Sequence, residues 1–153
     1  MADVDALLEL LVGVAGEGRW IGTEAPVDTE RRRRRMVEGI EGQDTIALVA
    51  DAGGELVGQL DLHLARYGVA DLGMLVAAGW RGRGVGGALL AEALARARAA
   101  GAHKIALQVW PHNTAAIALY ERFGFQREGY LRRHYRRRSG ELWDAVVMGL
   151  PLD

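Results

Sequence analysis

The densest chemistry in this sequence lies in Arg81-Gly82-Arg83-Gly84-Val85-Gly86-Gly87, followed by Ala88. The stretch follows an apolar run, Leu72 to Val76, and opens a series of helix formers that stops at Gly101. A strand-to-helix turn of this kind exposes several backbone N–H groups at a helix N-terminus, where aligned peptide dipoles add roughly half a positive charge. Glycine lets the backbone approach a phosphate without a Cβ in the way and supplies positive φ angles. Four interleaved glycines cost too much chain entropy for a bare turn. The loop therefore reads as an anion site for a phosphorylated cofactor.

Three glycine patterns compete for it. Gly82-x-Gly84-x-x-Gly87 matches a dinucleotide-binding fingerprint, which expects an acidic residue at the end of the next strand, about 20 positions on. That strand, Ile105 to Trp110, ends Gln108-Val109-Trp110 and offers no carboxylate. An NTPase loop closes with Gly-Lys-Ser/Thr, whereas this one closes Gly87-Ala88. The third pattern is Arg81-x-x-Gly84-x-Gly86.

A second group of polar residues stands downstream, in Asn113-Thr-Ala-Ala116-Ile-Ala-Leu-Tyr120-Glu-Arg-Phe-Gly124-Phe125. Asn113 is a good N-cap, and Tyr120 shares a helical face with Ile117 and Phe123, which also suits plain core. Asp61, His63 and Asp71 lie on predicted strands and are candidate proton acceptors. The run Arg31 to Arg35 suits a solvated helix face or a clamp for carboxylate or phosphate. His103 and His112 are too isolated to form a metal pair, so no metal site is expected.

The elements that must position these groups follow from periodicity. Leucines at 7, 8, 10 and 11 predict an amphipathic helix from Asp5 to Val14, broken at Gly16-Glu17-Gly18. Asp28 caps a second helix reaching about Glu38. Thr45 to Ala50 and Leu56 to Leu64 are strands, the latter alternating Leu60, Leu62 and Leu64 with Gln59, Asp61 and His63. A strand at Leu72–Val76, a helix over Gly84–Ala100, a strand at Ile105–Trp110 and a short helix ending at Gly124 follow. Glu128–Arg137 and Leu142–Leu150 close the chain as a hairpin turning at Ser139-Gly140. This order predicts an α/β fold with one mixed, mostly antiparallel sheet and helices on its faces.

Composition narrows the function. At 153 residues with 50% apolar and 25% charged side chains, the chain suits a single globular domain over 1–153. A formal net charge of -1 argues against nucleic acid or an anionic membrane as partner. With no cysteine there is no disulfide and no acyl-cysteine intermediate. The acidic start Met1-Ala-Asp-Val-Asp lacks the basic n-region of a signal peptide, so a cytoplasmic location is expected.

Arg81-x-x-Gly84-x-Gly86 resembles the pyrophosphate-binding motif of GNAT N-acetyltransferases, Gln/Arg-x-x-Gly-x-Gly/Ala, placed as in that family between a strand and a helix. The downstream Asn113-x-x-Ala116-x-x-x-Tyr120 helix with its Gly124-Phe125 pair resembles a second family signature, and Asp144-x-x-x-Met148 resembles bacterial small-molecule and N-terminal-amine acetyltransferases. Together the resemblance covers about Thr45 to Leu150. It implies acetyl-CoA as co-substrate and direct transfer to a primary amine of a small molecule or peptide N-terminus, in a fold whose twisted sheet splays two parallel strands around the pantetheine arm. An acyl-CoA sensor without turnover is the alternative. The resemblance assigns the cofactor to Met74, Leu75, Val76, Arg81, Gly82, Arg83, Gly84, Val85, Gly86, Gly87, Ala88, Asn113, Ala116 and Tyr120. It makes Tyr120 the catalytic acid for the departing thiolate and sets Trp20, Tyr135 and Trp143 in regions that line the acceptor site. Two departures stand out. The chain starts almost directly in the first helix, so either the start site is internal or the sheet lacks the usual first strand, which would leave Thr45–Ala50 as a sheet edge suited to pairing in a homodimer. Ala78-Gly79 also stands where relatives often have Pro-Glu.

Overall fold

A computed structural model describes residues 2–152 in the order α1 (Ala2–Glu17), α2 (Thr29–Glu41), β1 (Thr45–Ala52), β2 (Glu55–Leu64), β3 (Val69–Val76), α3 (Val85–Ala99), β4 (Lys104–Val109), α4 (Thr114–Arg122), β5 (Gln126–Arg136) and β6 (Leu142–Pro151). Six strands form one sheet ordered β1-β2-β3-β4-β6-β5. Every neighbouring pair is antiparallel except β3 with β4. The expected α/β architecture, mixed and mostly antiparallel, is the one the chain adopts.

Alternation in β2 sorts the two faces of the sheet. Leu60 and Leu62 are fully buried beneath α3, whose Leu89, Leu90, Ala93 and Ala97 form its inner stripe. Small residues bring helix and sheet close. A Cβ at Gly58 would meet Val85 Cγ1 at 2.8 Å and Leu89 Cδ1 at 3.1 Å. Each large apolar side chain fully buried here contributes about 1.5–3 kcal/mol. Gln59, Asp61 and His63 point to the opposite face, under α1 and α2. β1 is an edge of the sheet and pairs only with β2 among the described residues.

The parallel pair departs from regular pairing where it matters. β3 and β4 share only the register Val69–Lys104, Ala70–Ile105 and Asp71–Ala106. Beyond that the strands diverge, so Leu72–Val76 offers β4-facing backbone groups that no strand partners. The pairing segment is also the part the sequence pattern hides. The pattern starts this strand at Leu72, whereas it begins at Val69, directly after a tight turn in which Tyr67 has φ +69°. α1 likewise outruns its expected end at Val14 and stops at Glu17, ahead of Gly18.

Candidate active site

The glycine loop leaves β3 through a short 3-10 turn at Ala78–Trp80 and enters α3 at Val85. Gly84 is the helix N-cap in left-handed geometry, φ +88° and ψ 1°, with no side chain capping the helix. Among the described residues the N–H groups of Gly82, Arg83 and Gly84 meet no protein acceptor. Val85, Gly86 and Gly87 are first-turn donors that a helix cannot satisfy internally. The first bond of the helix runs from Ala88 N–H to the Gly84 carbonyl at 3.1 Å. Six donors are thus left facing outward at the positive end of α3, with open space where Cβ atoms at Gly82 and Gly84 would stand. Gly86 has a different task. A Cβ there would come within 2.9 Å of Leu119 Cδ2, so its absence lets α3 lie against α4.

Arg81 does not turn its guanidinium outward to an anion. Its Nε donates to the Val76 carbonyl at 3.0 Å, and Nη1 and Nη2 clasp Glu17 at 2.6 and 2.8 Å. That contact holds the Glu17 carboxyl below its ordinary range. Glu17 Oε1 also accepts from Trp20 Nε1 at 3.1 Å. The motif arginine therefore fastens the end of β3 to the α1–α2 connection and fixes Trp20. Arg83 stacks over Trp80, with its guanidinium carbon 4.0 Å from the ring centroid.

Where β3 and β4 part, a cleft of about 250 Å³ opens, lined by Leu72, Gly73, Met74, Gln108, Trp110, Asn113, Tyr120, Tyr135 and Trp20, among others. Tyr120 is buried, and burial pushes its phenol up to about 12. Its ring leans on Phe125 at 5.6 Å. The hydroxyl has no protein hydrogen bond among the described residues, yet no buried side-chain nitrogen or oxygen is left without a partner. The oxygen therefore opens into the cleft. Asn113 caps α4 by accepting from the Ala116 N–H at 3.3 Å, which leaves its amide nitrogen for the cleft. Tyr135 donates its hydroxyl to Gln108 Oε1 and sets its edge on Trp110 at 5.3 Å.

The structure brings Trp20, Met74, Asn113, Tyr120 and Tyr135 to one cleft and sends others elsewhere. Leu75 points to the opposite side, under α1 and α2. Trp143 stacks edge-on behind Trp110 at 5.0 Å and beneath Arg137, whose guanidinium lies 4.2 Å over its ring. It buttresses the wall and does not line it. Gln108, Trp110 and Gly73 line the cleft without having been singled out as site residues. So does the loop Ile21–Gly22, held by the buried Arg137 through a bond to the Gly22 carbonyl at 3.1 Å and an ion pair with Glu24 at 3.5 Å. Only the position of Gln108 and Trp110 at the C-terminal end of a strand pointed to them. Among the described residues no three metal-ligating side chains gather.

A row of free amides at a helix N-terminus, a slot between diverging parallel strands and a phenol at its floor stand together at the C-terminal ends of β3 and β4. The Acetyltransferase (GNAT) family profile matches residues 16–125. An L-methionine sulfoximine/L-methionine sulfone acetyltransferase of Pseudomonas aeruginosa is 28% identical over 158 residues, covering 100% of this chain and 91% of that protein. An L-amino acid N-acetyltransferase of Escherichia coli is 36% identical over 106 residues, covering 66% of this chain and 65% of that one. The crystal structure of a ribosomal-protein-alanine N-acetyltransferase from Brucella melitensis superposes with a TM-score of 0.87 at 29% identity, covering 99% of this chain and 95% of that one. The chain belongs to the GNAT acetyltransferase family. It is an N-acetyltransferase that uses acetyl-CoA to acetylate an amine.

Proposed function

We propose that the chain moves the acetyl group directly from acetyl-CoA to the primary amine of a small molecule or a peptide N-terminus, with both substrates bound together. The observation that carries this reading is the run of N–H groups at residues 82–87, three unpartnered in the loop and three in the first turn of α3, beside a cleft that contains an open phenol. Those amides hold the diphosphate. The unpaired edge of β3 beyond Asp71 receives the pantetheine arm by hydrogen bonding, and an N–H of Leu72–Val76 takes the negative charge that develops on the carbonyl oxygen. A fixed donor of this kind is typically worth about 3–4 kcal/mol. Asn113 and Met74 line the slot, and Trp20 and Tyr135 face the acceptor.

The proton ledger involves two groups. A lysine-like ammonium, with a pKa of roughly 10.4, must lose a proton before nitrogen can attack. Asp61 is the acceptor best placed for it. It pairs across the sheet with Gly73 of the cleft, whereas His63 pairs with Asp71 farther along, in the closed part of the β3–β4 seam. Burial raises the Asp61 carboxyl above its ordinary range, which makes it a stronger base. As the C–N bond forms and the C–S bond breaks, the nitrogen releases its second proton to solvent, Tyr120 gives its hydroxyl proton to sulfur, and Tyr120 is reprotonated from solvent.

The chain acts as one unit over 1–153, in the cytoplasm where acetyl-CoA and free amines meet, with neither nucleic acid nor membrane as partner. The net charge of -1 supports the first exclusion. For the second, no described helix is long and apolar enough to cross a membrane. The edge strand β1, with Val49 exposed, supports a homodimer, which light scattering will show as twice the chain mass. The deciding experiment incubates the protein with acetyl-CoA and a panel of amino acids, polyamines, aminoglycosides and peptides while reading free thiol. Thiol release with an equal yield of acetylated amine is expected. Tight acetyl-CoA binding with no turnover across the panel would favour a sensor instead.

A further inference from the structure

The five arginines at 31–35 have no part in the reading above, and the structure divides them. Arg33 pairs with Asp5 of α1. Arg32 and Arg35, one turn apart on α2, line a second cavity of about 490 Å³ between the α1–α2 pair and the sheet, while Arg31 and Arg34 lie outside it. Among the described residues neither Arg32 nor Arg35 has a carboxylate within ion-pairing distance. Burial and the neighbouring Arg35 both push the Arg32 guanidinium below its ordinary value, and the charge of Asp61 across the cavity works the other way. A half-buried cation whose opposing carboxylate lies beyond ion-pairing distance is costly unless an anion joins it.

The opposite wall carries the other sign. Asp61 stands on the sheet face, held by Gln59 Nε2 at 3.1 and 3.2 Å from its two oxygens. Its strand partner is Gly73, which lines the transfer cleft and would carry any Cβ into open space, so Asp61 stands one strand away from that cleft. Leu11, Met36 and Leu75 supply an apolar patch, and Thr45, Gln59 and His63 complete the polar lining on the sheet side. A polyamine would meet two arginines here, and a plain anion would meet Asp61. A zwitterion complements both walls.

Building on the amine-acetylation reading, we propose that this cavity is the acceptor subsite for a free α-amino acid: Asp61 receives the α-ammonium group beside Gly73, Arg32 and Arg35 grip the α-carboxylate, and an apolar side chain lies against Leu11, Met36 and Leu75. The assignment separates two acceptor classes. A peptide N-terminus carries an amide where the arginines require a carboxylate.

The test sets L-leucine and L-methionine against leucinamide and methioninamide on the full-length protein, reading thiol release with acetyl-CoA and, separately, calorimetric binding to the CoA-saturated protein. Charge-assisted hydrogen bonds of this kind give a preference of about 10–100-fold. The acids should therefore exceed the amides by that factor in kcat/KM and in affinity. The double variant Arg32→Gln/Arg35→Gln should bring the ratio below about threefold with acetyl-CoA affinity unaltered, Arg32→Lys/Arg35→Lys should restore part of it, and Arg31→Gln/Arg34→Gln should leave it as it was. Equal use of acids and amides by the parent, or a preference that survives the double glutamine variant, overturns the clamp and leaves the transferase standing. Binding of the acids without acetylation of any amine supports the clamp and overturns the transferase. Neither binding nor turnover of any of the four overturns both.

Discussion

Replacing Tyr120 with phenylalanine removes one oxygen from the floor of the cleft and leaves the ring that packs on Phe125. Because the hydroxyl has no protein partner, Tyr120→Phe breaks no protein hydrogen bond, and the melting temperature should stay within about 2 °C. Catalysis should respond very differently. With the phenol near 12 and an ordinary thiol near 8.5, full proton transfer to the released thiolate is uphill by about 5 kcal/mol, which reprotonation of the phenolate from solvent must offset. The phenol assists by hydrogen bonding to the sulfur as the C–S bond breaks, and general-acid help of that kind is worth about 10²–10⁴-fold. Stopped-flow or steady-state thiol release should show kcat down by at least about 100-fold, with acetyl-CoA affinity by calorimetry within about threefold of the parent. The parent should also show no loss of kcat from this group until the pH nears 12. Stability carries the same signature. The unfolded tyrosine ionises near 10, so the contribution of Tyr120 is fully present below pH 10 and is lost as pH rises through about 12. A variant that keeps a third or more of parental kcat would remove Tyr120 from the proton path.

Three further outcomes follow from neighbouring features. Gly84→Ala places a side chain at φ +88°, a conformation that costs about 1–2 kcal/mol, so KM for acetyl-CoA should rise about tenfold, whereas Gly79→Ala, at an unstrained and open position, should leave it unchanged. Asp61→Asn should lower kcat/KM at least about tenfold and yet raise the melting temperature at pH 7 by about 1–3 °C, because the buried carboxylate contributes stability only below its unfolded value of 3.8 and loses it as pH rises through its raised folded value. Arg81→Gln should cost about 1 kcal/mol of stability at pH 7 and raise acetyl-CoA KM only a few-fold. In the parent the contribution of Glu17 is present above its unfolded value of 4.5 and disappears as pH falls through its lowered folded value, and an acid titration of the variant should lack that loss.

Much of this architecture is legible in the chain because its signals are local. Positive φ at Gly84, the cap at Asn113 and the alternation from Gln59 to Leu64 each follow from a few adjacent residues, and each stands where the pattern puts it. What escaped depends on contacts between distant segments. Nothing near Arg81 announces Glu17, which lies 64 positions away, so a side chain read as an anion ligand serves as a strut instead. Trp143 and Trp110 are alike as residues, and only the stacking order on β4 and β6 decides which one faces the cleft. The arginine run has helical spacing in plain view, but which of its five members turn inward depends on how α2 settles over the sheet. The parallel start of β3 was hidden behind the Arg66–Gly68 turn, and with it the short register that makes the strands splay.

The central claim is that the backbone amides of residues 82–87 hold the diphosphate of acetyl-CoA, and an amide ¹⁵N–¹H titration of labelled protein with acetyl-CoA tests it most directly. The amides of Gly82, Gly84, Gly86 and Gly87 should move farthest and saturate together at one equivalent, while those of the distant Gly53-Gly54 turn stay still. Acetyl-CoA that binds and shifts other regions while these glycine amides remain in place would contradict the account.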